Sequence, residues 1–137
     1  DYDYVKKLAI EKGVSNSVVF HGAVRNIPEV IKDARMLVLT SDYEGIPNVI
    51  LEAFAAAVPV ISTDCSPGGA RFLIGDNEIG LLTPLGDAEE IAKQMQRIAD
   101  DCDLAEVYIS KGLIKLNDFS PEKIFAKWNE YLRNLMW

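Results

Sequence analysis

Short apolar runs alternate with longer stretches in which apolar residues recur every three or four positions, and this alternation organises the whole chain. Val5, Leu8 and Ala9 recur at helical spacing, so a helix is predicted over Tyr4 to Lys12 with Gly13 ending it. "SVVF", Ser17 to Phe20, reads as a short buried strand stopped by "HG". Asn26 can cap a helix running through Glu29, Val30 and Ile31 to Ala34. "MLVLT", Met36 to Thr40, is a second buried strand. Pro47 suits the first turn of a helix that "NVILEAFAAA" continues to about Ala57.

"VPVIST" follows as a third strand, "SPGG" as a loop, "ARFLI" as a short helix and "IGLLT" as a fourth strand. Asp87 is a candidate N-cap for "DAEEIAKQMQRIAD", whose Ile91, Met95 and Ile98 form one stripe. Two helices are predicted beyond it, Leu104 to Leu116 and Pro121 to about Met136. Strands apolar on both faces and alternating with helices define an α/β fold: a Rossmann-like parallel sheet with helices on both faces. Sheets of this kind bind ligands at the carboxyl ends of their strands.

Within that pattern Glu52 stands out, since it sits in the almost unbroken apolar run from Val49 to Val60. An ionised carboxylate buried there costs several kcal/mol, on the order of the penalty for any unpaired interior charge, unless donors reach it. Eight residues earlier, Glu44 and Gly45 follow the end of a strand, and Pro47 then opens the helix. Backbone N–H groups near Ile46, Asn48 and Val49 therefore face the mouth of the sheet, where an uncapped helix start attracts anions. Gly45 lets the chain pass close to a phosphate or sugar.

One reading gives Glu52 the vicinal hydroxyls of a ribose and Glu44 the hydroxyls of a group beyond the phosphates. The other makes Glu44 a solvated loop acid and pairs Glu52 with an internal Arg or Lys. The residue pattern leaves both open.

Composition narrows the class. At 137 residues, 49% apolar and 26% charged, the chain is long enough and apolar enough for one domain with its own core. A formal charge of −7 with no basic block argues against nucleic acid as a partner. No apolar run is long enough to span a bilayer, because Glu52 and Pro59 interrupt them. Cys65 and Cys102 match no metal or redox spacing, which points to reduced thiols, with Cys65 a small buried residue. The opening "DYDYVKKLAI" has acids where a signal peptide needs bases, and the chain starts in mid-pattern without Met, as an excised fragment does.

The segment "EGIPNVILE" resembles the E-x7-E motif of retaining nucleotide-sugar glycosyltransferases of the family 4 type, which have the two-domain GT-B architecture. Its flanks are similar to the same family: "VVFHGAVRNIPEVIKDARMLVLTSDYEGIPNVILEAFAAAVPVISTDC", and "IGLLTPLGDAEEIAKQMQRI" as its continuation. The resemblance is strong from about Leu8 to Arg97 and loose over the last helices. It implies the C-terminal half of a GT-B fold, N-terminally truncated. Residues 1–137 are then a single nucleotide-sugar-binding domain, with an α/β core over 1–102 and C-terminal helices over 103–137.

By the same resemblance Glu52 binds the donor ribose and Glu44 is the catalytic residue at the donor sugar. Gly45, Ile46, Pro47, Asn48 and Val49 hold the sugar and diphosphate. His21, Gly22, Val24 and Arg25 border the base. The implied donor is a nucleotide sugar, UDP-sugar by family habit. The implied acceptor is a glycan or lipid-linked glycan, met through an absent N-terminal domain, so that this fragment alone does not turn over. "SDYEGIPN" followed by "STDCSPGGAR" is most similar to enzymes of bacterial surface polysaccharide biosynthesis. A cytoplasmic location follows, with the inner face of the cell membrane as an option for the full-length enzyme. No cofactor and no metal are implied.

"DYD", Asp1 to Asp3, matches the D-x-D metal motif of other glycosyltransferases but equally suits the start of a helix. His21, the only histidine, reads as packed or base-flanking rather than as a general base. Arg71, after "SPGGA", is either a phosphate ligand or a surface residue; related sequences often carry an acid at this point in the loop. Phe125, Trp128 and Leu132 have the spacing of a core stripe, and in GT-B proteins the last helix packs back across the domains. Without that partner, Trp128 and Trp137 are expected to be exposed and adhesive. Two alternatives remain open: a non-catalytic binding or interaction module of the same fold, and a sugar-nucleotide epimerase.

Overall fold

In the computed structural model, which describes residues 2–135, three short strands of continuous apolar character form one parallel sheet. They are β1 (Leu37–Leu39), β2 (Val60–Thr63) and β3 (Leu81–Thr83), ordered β1-β2-β3. Leu37 pairs with Val60 and Ile61 with Leu81, so the three strands end at one level. Helices α1 (Tyr2–Glu11) and α2 (Ile27–Ile31) precede the sheet. Helix α3 (Asn48–Ala55) connects β1 to β2, and α4 (Gly69–Ile74) connects β2 to β3. Then follow α5 (Ala88–Asp100), α6 (Cys102–Leu116) and α7 (Pro121–Leu135).

Successive strand residues point to opposite faces, so each strand feeds two cores. Leu37, Leu39 and Val60 pack with Ile50, Ala53, Phe54, Leu73 and Ile74 on the α3–α4 side. Val38, Ile61 and Leu81 pack with Ile98, Ala105 and Tyr108 on the α5–α6 side. This two-sided cover is the α/β architecture that the apolar strands demand. Asp87 and Asn26 act as N-caps as expected, accepting from the N–H of Glu90 at 2.9 Å and of Glu29 at 3.4 Å.

Several expectations are corrected. "SVVF" is not a strand: Ser15–Ser17 is a 3-10 turn, and Val18 is extended but outside the sheet, with Val19 76% exposed. A strand exists only with a ladder partner, and Phe20 packs instead edge-to-face on Tyr2 of α1 at 5.5 Å. Val58 and Pro59 precede β2, and Ile79 and Gly80 precede β3, rather than belonging to them. Pro47 stands at the N-cap of α3 instead of its first turn, and Met95 is exposed while Ile98 takes the buried stripe. Phe125, Trp128 and Leu132 of α7 are exposed, as expected of a core-type stripe without its partner, and α7 leaves its apolar face uncovered among the described residues. Asp3 lies in the first turn of α1. Asp1, Met136 and Trp137 fall outside the described residues, and with them the D-x-D reading, the end of the last helix and the second tryptophan.

Candidate functional site

Loops leaving the carboxyl ends of β1 and β2 meet beyond the sheet and extend its pairing. Tyr43 and Ser66 form a parallel bridge, and the Glu44 N–H donates to the Ser66 carbonyl at 3.1 Å. Thr63 Oγ1 donates to the Ser41 carbonyl at 2.5 Å. Ser41 Oγ in turn donates to Glu44 Oε1 at 2.8 Å, so this half-buried carboxylate is held in place while keeping acceptor capacity for a ligand.

After Glu44 the chain turns through exposed Gly45 and Ile46, buried Pro47 and exposed Asn48 into α3. Pro47 extends the backbone (φ −73°, ψ 107°) and offers no side-chain cap, so the first-turn N–H groups of α3 have no side-chain acceptor. Their partial positive charge lies at the carboxyl end of the sheet, which suits an anionic ligand. Val49 is half-buried.

Glu52 lies four residues into α3, about 6 Å along its axis from Asn48. Ile50, Ala53 and Phe54 form the buried face of that helix, and Glu52 projects from nearly the opposite side, roughly 150° away, where it is still half-buried. The helix is therefore not apolar on all sides, and the acid lies outside the core rather than deep within it. Among the described residues no hydrogen bond or ion pair reaches the Glu52 carboxylate. The pairing with an internal Arg or Lys is thus absent among those residues.

His21 and Arg25 are exposed in a turn where Gly22 adopts φ +66°, and Val24 is half-buried. No hydrogen bond among the described residues ties this turn to Glu44 or Glu52, and the exposure of His21 removes the packed reading. Arg71 is engaged by the protein: it binds both carboxylate oxygens of Asp64 and also Asp76. The Asp64 carboxylate beside its guanidinium raises the Arg71 pKa further above its already high ordinary value. The Arg71 side chain is half exposed. Cys65 is buried and Cys102 exposed, and both are free thiols.

Ser41, Thr63 and Gly69 were not anticipated from the sequence. A Cβ on Gly69 would lie 1.4 Å from the Gly45 carbonyl oxygen, so the two loops touch backbone to backbone. The "GG" pair is the one signal that marks this closeness in advance.

The parallel sheet flanked by helices is the Rossmann-like α/β arrangement shared with structural neighbours that are GT-B glycosyltransferases. The chain belongs to the glycosyl transferases group 1 family, whose model matches residues 1–101. Among curated relatives, it is 34% identical over 123 residues to the lipopolysaccharide core biosynthesis glycosyltransferase LpsE of Rhizobium meliloti, covering 89% of this chain and 36% of that protein. The chain therefore spans about a third of the length of that relative. Among solved structures, sucrose-phosphate synthase from Thermosynechococcus elongatus superposes with a TM-score of 0.84 at 30% identity, covering 96% of this chain and 33% of that one. TarM of S. aureus, solved as a mutant with Fondaparinux, alpha-GlcNAc-glycerol and UDP, superposes with a TM-score of 0.83 at 26% identity, covering 93% and 26%. Relatives of this chain include glycosyltransferases of polysaccharide and lipid-linked glycan biosynthesis. No helix among the described residues is long and apolar enough to cross a membrane.

Proposed function

We propose that residues 1–137 are the donor-binding domain of a glycosyltransferase, with the α/β core at 1–102 and C-terminal helices at 103–137. The enzyme transfers a sugar with retention from a nucleotide-diphosphate sugar, UDP-sugar in the favoured case, to a glycan or lipid-linked acceptor of surface polysaccharide biosynthesis. The observation that carries this reading is the half-buried Glu52 carboxylate, which has no partner among the described residues and follows the uncapped start of α3.

In this reading Glu52 accepts from the ribose hydroxyls, and the N–H groups from Gly45 to Val49 meet the donor sugar and diphosphate. Glu44 contacts the sugar at the reacting centre. The His21–Arg25 turn borders the base, and the acceptor is held by a further domain. Rate acceleration then comes from holding the leaving diphosphate against fixed dipoles and stabilising the charge that develops on it.

The test is calorimetry on the full-length protein with UDP, GDP and a set of UDP-sugars, alongside transfer assays. Hydrogen bonds to a charged acceptor are worth about 1.5–3 kcal/mol each, so Glu52→Ala should weaken nucleotide binding by about tenfold or more. Unchanged donor affinity and activity in that variant would remove the ribose role. Tight nucleotide binding without transfer would instead favour a non-catalytic module of the same fold.

A further inference from the structure

We propose that Ser41 and Gly69 are positioning residues of the donor site, Ser41 for the Glu44 carboxylate and Gly69 for the Gly45–Ile46 backbone. The inference rests on the assignment of Glu44 and its loop to the donor.

Ser41 lies just past β1 and supplies the side-chain hydrogen bond to Glu44, while its own carbonyl is anchored by Thr63 at the end of β2. A glutamate side chain samples many rotamers, and one oxygen held at 2.8 Å restricts that sampling. The remaining lone pairs then face the ligand in a fixed direction. Loss of the hydroxyl frees the carboxylate but leaves α3, and with it Glu52, in place.

Gly69 acts on the backbone. Its missing Cβ would meet three main-chain atoms: the Gly45 oxygen at 1.4 Å, the Gly45 carbonyl carbon at 2.5 Å and Ile46 Cα at 3.0 Å. No rotamer change relieves an overlap with main chain. Gly45 and Ile46 are exposed, and a Cβ on Gly45 itself would meet nothing within 4 Å. The overlap is therefore relieved by outward movement of the loop, into the space the sugar and diphosphate would occupy. The first N–H groups of α3 move with it.

The test uses the full-length protein with UDP, GDP, UDP-glucose, UDP-galactose, UDP-N-acetylglucosamine and UDP-N-acetylgalactosamine, reading dissociation constants, KM, kcat and Tm. Ser41→Ala should leave nucleoside diphosphate affinity within twofold while kcat/KM for the nucleotide sugar falls about tenfold or more. Ser41→Thr, which keeps the hydroxyl, should restore most of that loss. Gly69→Ala should weaken diphosphate and nucleotide sugar together by at least tenfold. Gly80→Ala is the control: its Cβ would lie 2.6 Å from the Val60 carbonyl oxygen at the opposite end of the sheet, so it should lower Tm without changing affinity in the folded protein.

Equal losses for diphosphate and nucleotide sugar in Ser41→Ala, or no loss in either variant, overturn the proposal. So does a Gly69→Ala protein that keeps wild-type affinity. Glu44→Gln and Glu52→Ala, measured alongside, separate the two levels. If they too leave binding and transfer unchanged, or if the wild type binds no member of the set, the site assignment itself is wrong. If they are impaired while Ser41→Ala and Gly69→Ala are not, only the positioning roles fall.

Discussion

The loops beyond β1 and β2 and the outer helices α1 and α7 obey opposite rules. In the loops, backbone and hydroxyl groups are matched: Glu44 with Ser66 and Thr63 with Ser41 across the join, and Ser41 with Glu44 within the loop after β1. On the outer helices large apolar side chains face solvent, with Trp128 58% and Tyr4 68% exposed. Among the described residues the first region is held by its own hydrogen bonds, while the second leaves apolar faces uncovered. The contrast teaches that the sheet and its site draw their order from contacts the chain makes with itself, whereas α1 and α7 contribute little to the shared core.

Four measurements press on that contrast. The largest effect is expected from Phe54→Ala, which empties the α3 side of the core and should cost about 3–5 kcal/mol in urea denaturation. Next is Gly112→Ala, where α6 crosses α3: the added Cβ would come within 2.7 Å of the Phe54 ring. Overpacking of about 1–3 kcal/mol, offset by about 1 kcal/mol of helix propensity, should leave a net loss of about 1 kcal/mol.

The third is alkaline stability. Burial in the α5–α6 core raises the Tyr108 pKa above its ordinary value, although Arg97 lowers it in part. The unfolded phenol ionises near pH 10 and the folded one at higher pH, so stability is level below about pH 10 and falls as pH rises beyond it. Tyr108→Phe should flatten that fall in a pH series of denaturation curves. The smallest effect belongs to Trp128→Ser on α7, which should change stability by less than about 0.5 kcal/mol while lowering self-association in light scattering. A loss above about 1 kcal/mol there would place α7 with the core and dissolve the contrast.

Much of this division follows from how sequence encodes contacts. Helices capped by Asn26 and Asp87 are legible because a cap and the N–H that donates to it lie three residues apart. β1 and β2 are legible as apolar runs, although the strands, Leu37–Leu39 and Val60–Thr63, are shorter than the runs "MLVLT" and "VPVIST", and β1 is half-buried rather than buried. "SVVF" has the same local character yet forms no strand, since pairing depends on a neighbour that its own residues do not specify. The depth of Glu52 is illegible for a related reason: a helix turning every 3.6 residues splits an apolar neighbourhood in sequence into a buried face and an opposite side, and Glu52 falls on the latter. The links from Thr63 to Ser41 and from Gly69 to Gly45 join residues more than twenty positions apart and leave no periodic trace. Glu44, Gly45 and Glu52 were nonetheless recognisable as a group from their spacing and their resemblance to a family motif.

Where two loops meet without side chains, their freedom to diversify is confined to positions facing away from the join. Tyr43, Ile46 and Ser66 all face solvent there. Under the donor-site reading proposed above, a library aimed at a new donor range would randomise those three and leave Gly69 untouched, because change at the former reshapes what an arriving molecule meets while change at the latter shifts the floor beneath it.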